Sequence, residues 1–111
     1  GAIQAWATAF NSQLKTLASG ESRVAVVDFY ADFTDQIDNP STYGLTNVVD
    51  AACPGDIDQC ADALLDLDTS DGKTPGWWKD YAFSDGFHPS PKGHQGLAAS
   101  VSRALARAGW L

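Results

Sequence analysis

The chain has 111 residues, 44% of them apolar and four of them Trp, enough for one small domain with a core and too many for global disorder. Its net charge of −7, with only seven Lys and Arg scattered along it, excludes the basic patches that nucleic acid and anionic membrane surfaces require. No apolar run approaches the roughly 18 residues of a membrane span.

In chain order, residues 2–18 predict an amphipathic helix, with Ile3, Trp6, Phe10, Leu14 and Leu17 spaced by threes and fours on one face. Ser19-Gly20 supplies its stop. Val24-Ala25-Val26-Val27 is a short, unalternating, β-branched run, the pattern of a strand covered on both faces in a parallel sheet. Its exit, Asp28 to Asp32, is where such sheets present ligand-facing loops. Phe33 to Asp38 predicts one or two helical turns ended by Asn39-Pro40, since the residue before Pro avoids the α region. Ser41 to Gly44 reads as a turn and Thr46 to Ala52 as a second short helix. Between Cys53 and Trp78 the chain is irregular and Asp-rich, with mild helical character from Ala61 to Leu67. Tyr81-Ala82-Phe83 extends briefly. Ser90 as N-cap and Pro91 at the first helical position then open a helix carrying Leu97, Val101 and Leu105, closed by Gly109. A single strong strand leaves its backbone groups without ladder partners, so this inventory favours part of a larger sheet over a complete helical domain.

Two cysteines, Cys53 and Cys60, flank a Pro-Gly-Asp turn. An even count across a turn-forming loop favours a local disulfide and hence an oxidising, secreted setting over two free thiols in a cytosolic protein. The spacing completes no four-ligand zinc set. Asp66, Asp68 and Ser70 alternate as in a calcium loop. However, Asp71 stands where such a loop needs Gly and Trp77 where it needs Glu, so a solvated acidic loop is the better reading. No cofactor and no metal are expected.

The chemistry concentrates in Phe83-Ser84-Asp85-Gly86-Phe87-His88-Pro89-Ser90. His88 has the side chain best suited to proton transfer near neutral pH, and Asp85, three residues earlier, can hold its ring in one tautomer. A surface turn with an incidental pair is the plainer alternative. His94, in the first turns of the last helix, reads as a packing or capping residue.

This block, with Trp77-Trp78 before it and His94 after it, resembles the last sequence block of the SGNH (GDSL-type) esterases and lipases. Val26-Val27-Asp28-Phe29-Tyr30 and Asn39-Pro40-Ser41-Thr42-Tyr43-Gly44-Leu45-Thr46 are similar to the second half of secreted members, so the likeness covers roughly residues 24–108. It implies a three-layer α/β/α, flavodoxin-like fold with a parallel sheet, and a Ser-His-Asp triad to which Asp85 and His88 correspond. The family's Gly-Asp-Ser nucleophile block and the Gly and Asn of its oxyanion hole have no counterpart here. Gly20-Glu21-Ser22 precedes a strand where a nucleophile should follow one, which removes Ser22 from consideration.

The expectation is therefore a C-terminal portion, residues 1–111, of one SGNH hydrolase domain, completed by an N-terminal fragment of the same hydrolase on a separate chain. That chain would carry the serine and the oxyanion hole, as after nicking in an exposed loop. The substrate would be an ester of an acyl lipid or acetylated sugar, and Trp77, Trp78 and Phe87 are the aromatic candidates for touching it. The competing reading is a non-catalytic, SGNH-like or disulfide-stapled module that grips a carbohydrate or other ligand with its aromatics.

Overall fold

The apolar stripe of the first seventeen residues does form one helix face, yet nothing covers it. The computed structural model describes residues 1–111, and in it α1 (Ala2–Ala18) leaves Ile3, Trp6, Phe10, Leu14 and Leu17 between 40% and 79% exposed. The helix ends as its sequence dictates, with Gly20 at φ 83°, a left-handed conformation that side chains resist. Asp28 ties α1 to the next helix, accepting from Asn11 Nδ2 at 3.1 Å and Lys15 Nζ at 2.6 Å. It also caps that helix, α2 (Phe29–Asp38), by accepting from the Ala31 N–H at 3.0 Å. The Lys15 bond first, then the Ala31 N–H, lowers the Asp28 pKa.

Val24 to Val27 is not a strand and forms no regular element. Val24 N–H turns back to the Glu21 carbonyl, and the N–H groups of Ala25, Val26, Val27 and Asp28 make no hydrogen bond within the chain. A strand exists only through its ladder, and no neighbour is present to form one here. With the segment released, Asp28 becomes an N-cap and the helix starts at Phe29, four residues ahead of its expected first turn. It still stops before Pro40, followed by a 3₁₀ turn at Pro40–Tyr43 that Gly44 closes at φ 67°.

Thr46 to Ala52, expected as a helix, is corrected as well. It holds β1 (Asn47–Ala51), which pairs in parallel with β2 (Tyr81–Phe83). The partner strand lies thirty residues downstream, so a local reading of the sequence misses it. Asn47 adds to the ambiguity, because its Oδ1 accepts the N–H groups of Val49 at 2.9 Å and Asp50 at 2.8 Å. This local turn bulges the strand, matching Asn47 to Tyr81 and Ala51 to Phe83 with unequal spacing. Pairing continues past the bulge, with Ala52 N–H to the Phe83 carbonyl at 3.1 Å and Cys53 N–H to the Ser84 carbonyl at 2.7 Å.

A small core sits beside this pair. Ala52, Leu65 and Trp78 are its buried members, with Cys60, Trp77 and Tyr81 packed around them. Leu65 comes from the single-turn α3 (Asp62–Leu65). The last helix, α4 (Pro91–Arg107), packs across α2, where Gln36 is buried against Gly96, and also contacts β2. The start of α4 obeys its sequence, the Ser90 hydroxyl accepting the Gly93 N–H at 3.0 Å. Helices thus combine with a short two-stranded parallel sheet, compatible with part of an α/β domain, but only 11 of 111 residues are buried. The radius of gyration, 16.8 Å, exceeds the roughly 13 Å of a compact chain this long.

Candidate active site

The loop between β2 and α4 is closed on itself before any side chain is considered. Ser84 N–H bonds the His88 carbonyl at 2.9 Å, Phe83 and Pro89 form an isolated antiparallel bridge, and Ser90 N–H returns to the Ala82 carbonyl at 2.8 Å. The Asp-Gly turn chemistry inside this closure brings Asp85 back toward His88.

Asp85 is 7% exposed and fully engaged. Its Oδ1 accepts the N–H of Phe87 at 2.9 Å and of His88 at 2.6 Å. Its Oδ2 accepts the N–H of Ile57 at 3.1 Å. His88 Nδ1 lies 2.8 Å from Oδ2 and 3.0 Å from Oδ1. The His88 backbone N–H, then the Phe87 N–H and the His88 ring, hold the Asp85 carboxyl well below the usual carboxylate range. An ionised carboxylate only accepts, so the ring carries a hydrogen on Nδ1, and in the neutral imidazole the lone pair is on Nε2. The His88 side chain is 47% exposed, and Asp85 is the one side chain its ring bonds. Chemically the pair is a base with a fixed tautomer, able to take a proton at Nε2 while Asp85 stabilises the imidazolium.

Ile57 is the partner that sequence reasoning did not find. Its contribution is a backbone N–H from 28 residues away, a group that leaves no mark on residue identity. It is delivered by the Cys53–Cys60 loop, which the disulfide closes with Cα atoms 5.5 Å apart.

The aromatic candidates separate. Phe87 is 82% exposed and meets the His88 ring edge to face, centroids 5.1 Å apart. Trp78 lies in the core with its Nε1 donating to Asp66 Oδ1 at 2.9 Å. Trp77 packs on the core's rim, its Nε1 donating to the Leu65 carbonyl at 2.9 Å and its ring under Lys73 Nζ at 4.1 Å. His94 donates from Nδ1 to the Ser90 carbonyl at 3.0 Å within the first turn of α4. Ser22 sits in an exposed turn ahead of residues 24–27.

In the acidic stretch, Asp66 accepts the Gly76 N–H and Asp68 accepts Ser70 and Lys73. No group of three or more His, Cys, Asp and Glu side chains is arranged to hold a metal ion. No helix is long and apolar enough to cross a membrane.

No curated protein and no solved structure matches the chain. The family described as GDSL-like lipase/acylhydrolase does, over residues 1–101, a span that takes in α1 as well as the Asp85–His88 loop. A match over that much of the 111 residues makes the chain a member of the GDSL-like lipase/acylhydrolase family.

Proposed function

We propose that this chain supplies the acid and base of a secreted serine ester hydrolase whose nucleophile and oxyanion hole come from an N-terminal segment on a separate polypeptide. The observation that carries it is the Asp85–His88 pair. Its Nδ1 is committed to a carboxylate at 2.8 Å, and the half-exposed imidazole is left with a free Nε2. In turnover Nε2 takes the proton of the serine hydroxyl as its oxygen attacks the ester carbonyl. The same proton then passes to the departing alcohol, and a water repeats the cycle to release the acid.

Two features support completion by another chain. The N–H groups of Ala25 to Asp28 are unbonded within the chain, and a strand from the completing segment would satisfy them within a three-layer α/β/α domain. The apolar face of α1 and an open groove of about 400 Å³ lined by Phe29, Phe33, Ile37, Phe83 and Leu97 are the surfaces such a domain would bury. The Cys53–Cys60 disulfide supports a secreted setting. Phe87, exposed beside His88, stands where it can meet an acyl lipid or acetylated-sugar ester.

Native mass spectrometry of the protein purified without denaturant is expected to show the 11.8 kDa chain bound to a second polypeptide. A fluorophosphonate should label a serine of that second chain, and His88→Ala should abolish both labelling and hydrolysis of a short acyl ester. Hydrolysis undiminished by His88→Ala defeats the proposal. A lone 11.8 kDa species that still turns over ester defeats its two-chain part.

A further inference from the structure

Of the two Asp85 oxygens, Oδ1 is held by its own loop, through Phe87 and His88 N–H. Oδ2 makes the shorter approach to His88 Nδ1, 2.8 Å, and takes its only other bond, 3.1 Å, from Ile57 N–H. A carboxylate's terminal torsion is soft, so donors on one oxygen leave its plane free to swing. The second donor is what fixes that plane, and with it the direction of the imidazole.

The second donor is itself anchored by covalent and hydrogen bonds. Ile57 opens a 3₁₀ turn, Ile57–Gln59, in which Cys60 N–H bonds the Ile57 carbonyl at 3.2 Å. Cys60 is bonded through sulfur to Cys53, and Cys53 N–H bonds the carbonyl of Ser84, the residue before Asp85, at 2.7 Å. A closed circuit therefore runs from Ser84 through Cys53, the disulfide, Cys60 and Ile57 back to Asp85. Residues 54–59 are exposed along their whole length, so little else restrains them.

We propose that the disulfide-closed loop is a positioning element of the site, Ile57 being the positioning residue that orients Asp85 and the Cys53–Cys60 bond the brace that holds Ile57 in place. The proposal rests on the hydrolase reading for its consequence in turnover, but its structural content concerns the Asp85–His88 pair alone.

A single substitution breaks it. Asp56 lies at φ −67°, ψ 158°, the extended conformation that a residue before proline prefers, and Ile57 occupies the first position of its turn. Ile57→Pro thus removes the N–H with little backbone strain, and its Cδ, standing where the hydrogen pointed at Oδ2, also pushes the carboxylate off that side. Ile57→Ala keeps the N–H and removes only a side chain that is 41% exposed. In the assembled enzyme Ile57→Pro is expected to lower kcat by about ten- to hundredfold with KM little changed, whereas Ile57→Ala behaves as wild type. In the 111-residue chain the His88 Nδ1–H signal in ¹⁵N-edited spectra should broaden through faster solvent exchange in Ile57→Pro and stay sharp in Ile57→Ala.

Cys53→Ser with Cys60→Ser is the second variant, expected to broaden the same signal and to accelerate exchange of the Ile57 amide. Equal kcat and equal Nδ1–H signals in the Pro and Ala variants overturn the proposal, as does an unchanged Nδ1–H signal in the double Ser variant. If the assembled protein hydrolyses no ester at all, the hydrolase reading falls, and the spectra still decide the positioning role.

Discussion

Replacing Asp85 with Asn changes one atom and reverses the logic of the dyad. In the native loop one oxygen receives two backbone N–H groups, from Phe87 and His88, and the other receives Ile57 N–H and the imidazole. The Asn amide keeps one acceptor, and its best use is on the side where two backbone donors converge. Its NH₂ then faces Ile57 N–H and His88 Nδ1. Two donors repel there, and the imidazole responds by presenting Nδ1 as an acceptor, which moves its hydrogen to Nε2. A protonated Nε2 takes no proton from a nucleophile, so the variant loses general-base catalysis while keeping its shape. The expected fall in kcat is about 10³–10⁴-fold, the scale seen when a triad imidazole is held in the wrong tautomer. Hydrolysis of a short acyl p-nitrophenyl ester by the assembled enzyme reads the rate, and ¹⁵N shifts of the His88 ring read the tautomer. Undiminished turnover together with an Nδ1–H tautomer in the Asn variant would refute the reasoning.

The remaining predictions concern the frame around the site. Trp78→Ala empties the small core of its largest member, 7% exposed and packed with Ala52 and Leu65, and should cost about 3–5 kcal/mol. That is a large part of a small domain's stability, so a collapsed urea midpoint is the expected result and an unchanged one the failure. At Gly96 a new Cβ would lie 2.5 Å from the Gln36 amide, itself 2% exposed, so Gly96→Ala should destabilise by about 1–3 kcal/mol. Adding Gln36→Ala should recover part of this loss, and additive effects in urea titrations would place the clash elsewhere. Lys73, then the Ser70 hydroxyl and N–H, hold the Asp68 carboxyl at about 2, below its ordinary value of 3.8. A depressed folded-state value stabilises above the unfolded pKa and loses that contribution as pH falls. The stability gap between wild type and Asp68→Asn should therefore narrow as urea titrations move from about pH 6 toward pH 2.

Legibility in the sequence tracked the range of the interaction involved. The α4 start needed only Ser90 and Pro91, and the structure has both the cap and the proline where the sequence put them. The disulfide was readable because its two cysteines lie only seven positions apart. The Asp85–His88 pairing was visible for the same reason, its partners being three residues apart. The misreadings were set by distant partners. Val48 and Val49 lie in a strand because Tyr81 to Phe83 runs beside them, while the β-branched Val24 to Val27 is left unpaired because nothing does. Trp77 and Trp78 illustrate a different limit: composition marks them as aromatic, but only the fold shows their indole N–H groups turned to Leu65 and Asp66.

The distribution of order along the chain bears on how such a site would be completed. Where apolar surface lies open, in α1 and residues 24–27, backbone donors or large side chains are unpartnered. The dyad loop is the opposite, with Ser84, Phe87, His88 and Ser90 N–H groups all bonded within the chain and Asp85 buried. On the proposed two-chain reading, a completing segment would not need to build the acid and base; it would bring a hydroxyl and oxyanion donors to an imidazole already aimed. Preorganisation of that kind is where electrostatic catalysis gains most, because the groups that stabilise charge do not reorient as it forms. It also separates two classes of variant. Substitutions on the exposed face of α1, such as Trp6→Asp with Phe10→Asp, should weaken association with the second chain and leave the His88 Nδ1–H signal of the isolated chain unchanged. Asp85→Asn and Ile57→Pro should alter that signal and leave association intact. A variant of either class that moved both measurements would show the dyad to depend on the partner, contrary to the closure of its loop.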